Sequence, residues 1–301
     1  MSQVTFDEIS KRADAITTPV RSPLAVVLRR LVRHRSAQMG AALILFFLLV
    51  AVLAPVVAPY DATTDSNPVN RLKPPSVEHP FGTDSLGRDV MLRMAHGARV
   101  SMALGVIATF AALFIGVLIG LVSGMSGGWL DNVLMRLMDI LLSIPDMLLA
   151  IVVVAILGPG LTNTMLAISI VNIPGYARLS RSMALYLREQ DFIMASRSLG
   201  VSEWNILMEH TLPNSLSPII VQATLGVAGA ILEAAALGFL GLGQQPPWPE
   251  WGAMLSDSAK FLSAGAWWAL TFPGLAIMLS VLGFNLLGDG LRDVLDPRLK
   301  R

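Results

Sequence analysis

The chain of 301 residues contains no cysteine, which excludes disulfides, thiolate catalysis and thiolate-held metal. Its histidines are His34, His79, His96 and His210, and no two stand at the i,i+4 spacing of paired helical metal ligands. No Ser–His–Asp set comes together, and no catalytic constellation is apparent. No Gly-Lys pair occurs anywhere, so the chain has no G-x-x-x-x-G-K-[ST] loop for nucleotide phosphates. Charge is scarce as well. Charged residues make up 14% of the chain, against about 25% in a typical soluble domain. The net charge of +1 supplies no basic field for nucleic acid. No low-complexity tract and no long internal repeat is evident.

Apolar residues are abundant at 54% of the chain, and that excess belongs in lipid. A spanning helix needs roughly 20 mostly apolar residues. Six spans are predicted, at 39–58, 100–124, 133–157, 161–179, 215–240 and 267–288, which makes this an all-α membrane protein. The first is uncharged and follows a polar tail. It is too long for the apolar region of a signal peptide, so it reads as a retained anchor. The fourth is the weakest and contains Pro174.

Charge orients the spans. The tail before the first carries Lys11, Arg12, Arg21, Arg29, Arg30, Arg33 and Arg35, which predicts a cytoplasmic amino terminus. Six spans return the basic carboxyl terminus to the same side. The connection 177–213 falls inside and holds Arg178, Arg181, Arg188 and Arg197. Segment 60–95 falls outside with mixed charge that includes Arg71, Lys73, Arg88 and Arg93. Trp248, Trp251, Trp267 and Trp268 cluster at the outer ends of spans five and six, as an interfacial aromatic belt would. The resulting division is a cytoplasmic tail 1–38, a first span 39–58, a periplasmic segment 59–96, a core 97–289 that includes the loop 180–213, and a tail 290–301.

Several residues within the spans call for a role, because an ionisable group in a membrane is costly. Arg136 and Asp139 are three apart and predict a structural pair, or snorkelling to headgroups. Asp146 lies seven residues further, roughly on the same face, after a Pro145 able to kink the span. Glu233 is followed by three alanines, suited to close packing with the acid facing a pore or a partner helix. Asp146 and Glu233 are therefore the candidates for a translocation path or gate. Gly116, Gly120 and Gly124 form a stripe that predicts close helix packing within the chain. Asp84, Arg88 and Asp89 read as a turn with local ion pairs. No ligand cluster at a known spacing accompanies them, so no metal site is predicted.

The connection 177–213 is too polar to span and too patterned to be a linker. A helix is expected from Ser180 to Leu199 with Leu185, Phe192, Ala195 and Leu199 near one face. Gly200 is a natural stop, Ser202 a natural cap for a second helix carrying Trp204, and Pro213 its end. On helix logic alone, a hairpin lying on the membrane is as good a reading as a docking element.

The pattern Met194-Ala195-Ser196, three residues, Gly200, nine residues, His210-Thr211-Leu212-Pro213 resembles the cytoplasmic loop of permease subunits in binding-protein-dependent ABC importers. That loop reads Glu-Ala-Ala, Gly, Ile-x-Leu-Pro at the same spacing. Ala195, Gly200, Leu212 and Pro213 match, whereas Met194, Ser196 and His210 depart. HPFGTDSLGRDV (79–90), AALGFLGLGQQPPWPEWGAML (235–255) and FNLLGDGLRDVLDPRLK (284–300) resemble the dipeptide, oligopeptide and nickel branch, and its shorter permease in particular.

The resemblance implies a type I importer permease fold with about six spans and both termini in the cytoplasm of a bacterium, the chain lying in its inner membrane. It implies a pore for dipeptides or short oligopeptides, completed by a second, similar permease. Nickel chelates or another peptide-like solute are the alternative cargo. Two cytoplasmic ATPase subunits would bind ATP and magnesium, this chain holding no cofactor, and a periplasmic protein would deliver substrate. The ATPase-coupling residues would be Phe192, Ala195, Ser196, Leu199, Gly200, Trp204, Leu212 and Pro213. A competing reading, an ion-driven secondary transporter, leaves this loop without a purpose and lacks inverted repeats.

Overall fold

The computed structural model describes residue 27 and residues 29–295; the remainder of the predicted tails, including Lys11, Arg12 and Arg21, lies outside the described residues. The first span, α1, runs Arg35–Val57. The second, α2, runs Val90–Ser126, and at 37 residues it is about 55 Å long, well beyond a 30 Å hydrocarbon core. It starts ten residues before the uncharged run because Asp89 caps it, accepting from the Leu92 N–H at 3.0 Å.

The predicted third span is not one helix. It divides into α3 (Gly128–Leu142) and α4 (Asp146–Leu157), bent by 90° across Ser143–Ile144–Pro145. Pro145 has no N–H to continue the first helix and disfavours helical conformation in the residue before it. Asp139 and Asp146 therefore do not share a face. The fourth helix, α5 (Leu161–Arg188), runs nine residues past its predicted end, through Pro174. A short helix α6 (Asp191–Ser198) follows. Then α7 spans Glu203–Phe239, α8 covers Trp251–Ala259, and α9 closes the described chain at Trp267–Leu295. Among the described residues α1, α2, α7 and α9 are each long and apolar enough to cross a membrane, with the bent pair as a further candidate.

The long helix α2 is the hub. One apolar core joins it to α1, α7, α8 and α9 through Phe47, Met102, Ile231, Trp251, Trp268 and Phe284. A second joins it to α4, α5 and α7 through Leu104, Val154, Ile168 and Leu237. The glycine stripe serves packing within the chain, as expected. Gly116 faces the Ile173 carbonyl and Tyr176, Gly120 faces Ala177 and Ser180, and Gly124 faces Ala184, all on α5. An added methyl at Gly124 would come within 2.6 Å of the Ala184 Cβ, so only glycine admits this approach.

Helix ends sort into two levels. At one, the start of α1 meets the end of α9: Ala37 packs on Gly290, and His34 sits 3.3 Å from Asp293. The end of α2 and the end of α5 lie at this level too, where Arg188 donates to the Gly124 carbonyl. It is called the basic end below. At the opposite end His96, early in α2, donates to the Ala58 carbonyl just past α1 at 2.8 Å.

Segment 60–89 covers that opposite end and is more buried than its charge suggested. Asp84 accepts from Arg88 Nε at 2.8 Å and from Arg93 at 2.5 Å, all three side chains nearly inaccessible. The local ion pairs expected at Asp84, Arg88 and Asp89 are present, with Arg93 added. The aromatic belt needs correction. Trp248 and Trp267 are exposed, but Trp251 and Trp268 are core residues. Their indole N–H groups donate to the Met94 carbonyl at 3.0 Å and the Thr83 carbonyl at 3.1 Å. A buried indole with a satisfied N–H is stable in a core.

Candidate functional site

The connection between α5 and α7 forms a helical knuckle at the basic end. Arg188 ends α5, and a two-residue break at Glu189–Gln190 starts α6, so the predicted single helix from Ser180 to Leu199 is two. Gly200 follows with φ +79°, a left-handed turn that a side chain would strain. Arg197 and Glu203 bridge this turn with two hydrogen bonds, 2.5 and 2.9 Å. Ser202 caps the next helix as expected, its hydroxyl accepting from the Asn205 N–H at 3.3 Å.

Pro213 does not end that helix. The chain passes through a π-helical segment, Ile206–Thr211, and continues without a break into the span. The Leu212 N–H reaches the Leu207 carbonyl five residues back. The wider register lies where Pro213 lacks a donor and where an α-helical register would press its ring on the Glu209 carbonyl. The knuckle and the span are thereby joined by one continuous helix.

Apolar side chains of the knuckle divide into two sets. Ile193, Ile206 and Leu207 face inward and are buried. Leu207 packs with Val117 and Leu121 of α2 and Ala184 of α5. Phe192, Met194, Leu199 and Trp204 face outward, with Leu199 84% and Trp204 58% exposed. Ala195 and Gly200 are exposed beside them, Ser196 is half-buried, and no atom lies within 4 Å of a Cβ added at Gly200. Of the predicted coupling residues, Phe192, Ala195, Leu199, Gly200 and Trp204 are thus each exposed, while Leu212 and Pro213 begin the α-helical part of the span that follows. A cleft of about 620 Å³ adjoins Trp204, lined by Val122, Met125, Arg188, Arg197, Glu203 and Leu207. Inward Ile193 was missed because it stands directly between outward Phe192 and Met194, and an eight-residue helix is too short for its periodicity to separate the two faces.

The knuckle is seated on an ion pair that the sequence did not reveal. Arg181 of α5 donates to both carboxylate oxygens of Asp131 on α3, at 2.6 and 2.7 Å, and Ser123 of α2 donates to the same carboxylate. This fork ties three helices together at the basic end. Asp139 pairs with Arg178 at 2.6 Å, not with Arg136 as predicted, since the turn of α3 presents it to α5.

The two acids proposed for the path lie apart from the knuckle. Asp146 is exposed in the first turn of α4. Glu233 is half-buried on α7 and accepts from Asn172 Nδ2 of α5 at 2.9 Å. A cleft of about 440 Å³ between α4, α7, α8 and α9 is lined by Met147, Leu232, Ala235 and Ala236, and neither acid is among its lining residues.

Beyond them, at the opposite end, Glu250 is buried. Its carboxylate caps α8, accepting from the Gly252 and Ala253 N–H groups at 2.8 Å each, and from Ser101 of α2 at 3.0 Å. Burial raises its pKa above the usual carboxylate value, and the two backbone N–H groups and Ser101 pull it back only in part. The sequence signal was an acid immediately before a helical run, a capping position.

Residues 116–301 match the family described as binding-protein-dependent transport system inner membrane component, and residues 22–75 match the N-terminal TM domain of oligopeptide transport permease C. The chain is similar to the dipeptide transport system permease protein DppC of Alkalihalophilus pseudofirmus, 51% identical over 93% of this chain and 91% of that one. It is 46% identical to the di/tripeptide transport system permease protein DppC of Pseudomonas aeruginosa, over 93% of each. It is also 46% identical to the glutathione transport system permease protein GsiD of Escherichia coli, over 93% and 92%. Among solved structures, an inward-facing conformation of the MetNI methionine ABC transporter superposes with a TM-score of 0.56 at 19% identity, covering 68% of this chain and 97% of that one, which speaks to fold.

Proposed function

The chain belongs to the family of binding-protein-dependent transport system inner membrane components, and on that premise we infer that it forms one half of a pore through which dipeptides or short oligopeptides enter the bacterial cytoplasm. It is a multi-pass protein of the inner membrane. The basic end lies in the cytoplasm, by the excess of arginine there. The other half of the pore is a second, homologous permease. Two ATPase subunits bind ATP and magnesium, since this sequence has no phosphate loop of its own, and a periplasmic protein presents the substrate. Relatives named for dipeptides, di/tripeptides and the tripeptide glutathione favour peptide cargo over nickel chelates.

The observation that carries the reading is the outward set of the knuckle. Leu199, Trp204, Phe192 and Met194 are large, apolar and exposed on a segment whose inward residues fix it to α2 and α5. An apolar projection outside the spans suits a groove on a soluble partner. Seated there, it passes ATPase closure through the unbroken α7 to Glu233, with Asp146 at the start of α4 as the second acid of the path. These two acids, in this reading, face the ammonium of the passing peptide.

Leu199→Glu tests the docking. It places a charge in the partner's groove and removes nothing from this chain's own core. In proteoliposomes holding the full complex, peptide uptake should fall at least tenfold while the chain inserts normally. Wild-type uptake would contradict the assignment.

A further inference from the structure

Most cations at the opposite end have a partner, whereas Arg99 and Lys260 have no ion-pair partner among the described residues, and of these two only Arg99 stands on a spanning helix. Arg88 and Arg93 bind Asp84. Arg71 lies over the Phe261 ring at 5.5 Å, and Lys73 donates to Asn70 at 2.6 Å. Arg99 is exposed and has no acidic partner among the described residues. It stands on α2 directly before the uncharged run, at the level where hydrocarbon meets headgroups.

Arg99 lines a groove of about 560 Å³ between α1 and α2. The other walls are apolar, among them Leu48, Val52 and Pro55 on α1 and Met102, Ala103 and Ile107 on α2. The two helices are antiparallel here, so Pro55 stands level with Arg99 and Leu48 with Ile107. The groove follows α1 for eight residues and α2 for nine, about 10–12 Å of axial rise, roughly a third of the hydrocarbon thickness. Its one charge is at the membrane surface and its apolar length runs inward, which is the polarity of a phospholipid. Val52, midway along the groove, is 70% exposed, so the groove is open there to the bilayer.

We propose that this groove is a binding site for an anionic phospholipid, with the phosphate on the Arg99 guanidinium and an acyl chain between α1 and α2. A guanidinium donates to phosphate in a fork, and desolvation by the surrounding chains strengthens the pair. Phosphatidylglycerol meets these demands. Zwitterionic phosphatidylethanolamine carries its own ammonium against the phosphate and meets them less well.

The test is native mass spectrometry of the intact transporter complex, released from detergent with equal phosphatidylglycerol and phosphatidylethanolamine. The complex should retain phosphatidylglycerol preferentially. Arg99→Gln should lower that retention about tenfold, and Arg99→Lys should keep most of it. Ala103→Phe, which fills the groove beside an intact Arg99, should also displace the lipid. Unchanged retention in Arg99→Gln would overturn the proposal. So would efficient disulfide formation between Val52→Cys and single cysteines in the second permease, since a protein helix would then occupy the groove.

Discussion

Replacing Glu250 by alanine should detach α8 from the body of the protein. The carboxylate satisfies two backbone N–H groups at the start of α8, those of buried Gly252 and half-buried Ala253. An orphaned buried donor costs about 1–3 kcal/mol, so the pair amounts to about 2–6 kcal/mol. Relief from burying a carboxylate offsets part of this, which leaves a net loss of about 2–4 kcal/mol. Glutamine keeps the shape but sets an amide N–H₂ against one backbone donor, so Glu250→Gln should lose about 1–3 kcal/mol. Thermal unfolding of the detergent-solubilised complex should therefore rank wild type above Gln above Ala, and limited proteolysis should open residues 243–266 first in the Ala variant. The sign of the pH dependence follows from burial. The folded protein holds the Glu250 proton above the ordinary pKa of 4.5, so between that value and its raised pKa the unfolded chain has lost a proton the folded one keeps. The contribution of this group is full below 4.5 and declines as pH rises through the folded pKa. Glu250→Gln should remove that slope. An Ala variant as stable as wild type would refute the capping account.

Other consequences concern the basic end. Gly120→Leu drives a side chain into the backbone of α5 at Ala177 and Arg181, and overpacking of this kind costs about 1–3 kcal/mol or more; a lower yield of folded protein after gentle extraction would show it. Asp131→Ala leaves the half-buried Arg181 unpaired and should lower the unfolding temperature, whereas Asp139→Ala removes an exposed pair with Arg178, worth about 0–1 kcal/mol. Equal effects of the two would contradict the ranking. Ile193→Ala should cost about 2–4 kcal/mol locally and release the knuckle to proteolysis, because its side chain is fully buried.

Four of the six predicted spans, α1, α2, α7 and α9, were legible because hydrophobic runs longer than roughly 20 residues have few other destinations, whereas α5, the predicted fourth, does not meet that measure. The glycine stripe was legible because a four-residue repeat puts small residues on one face. Two kinds of feature were not. The 90° break at Pro145 was expected only as a kink, because a proline announces a disturbance and tertiary packing sets its angle. Pro213 was taken for a stop because its local preference is clear, yet the π-helical register absorbs it. Partners distant in sequence were the second gap. Asp131 with Arg181 and Glu250 with Ser101 are 50 and 149 residues apart, and neither spacing carries a signal. The same reason misplaced Trp251 and Trp268, whose indoles find carbonyls on distant segments rather than headgroups. At the candidate coupling site the sequence identified the exposed residues Phe192, Ala195, Leu199, Gly200 and Trp204 but not the buried ones that hold them out.

Absence of cysteine allows the central claim to be tested by position. Single cysteines at Leu199 and at Trp129, which is equally apolar and 75% exposed but outside the knuckle, can be placed in the full complex. A short thiol-to-amine cross-linker should join Leu199→Cys to an ATPase subunit, with a yield that changes on adding ATP and magnesium, and should leave Trp129→Cys unjoined to it. Failure of Leu199→Cys to reach an ATPase subunit in an actively transporting complex would contradict the account.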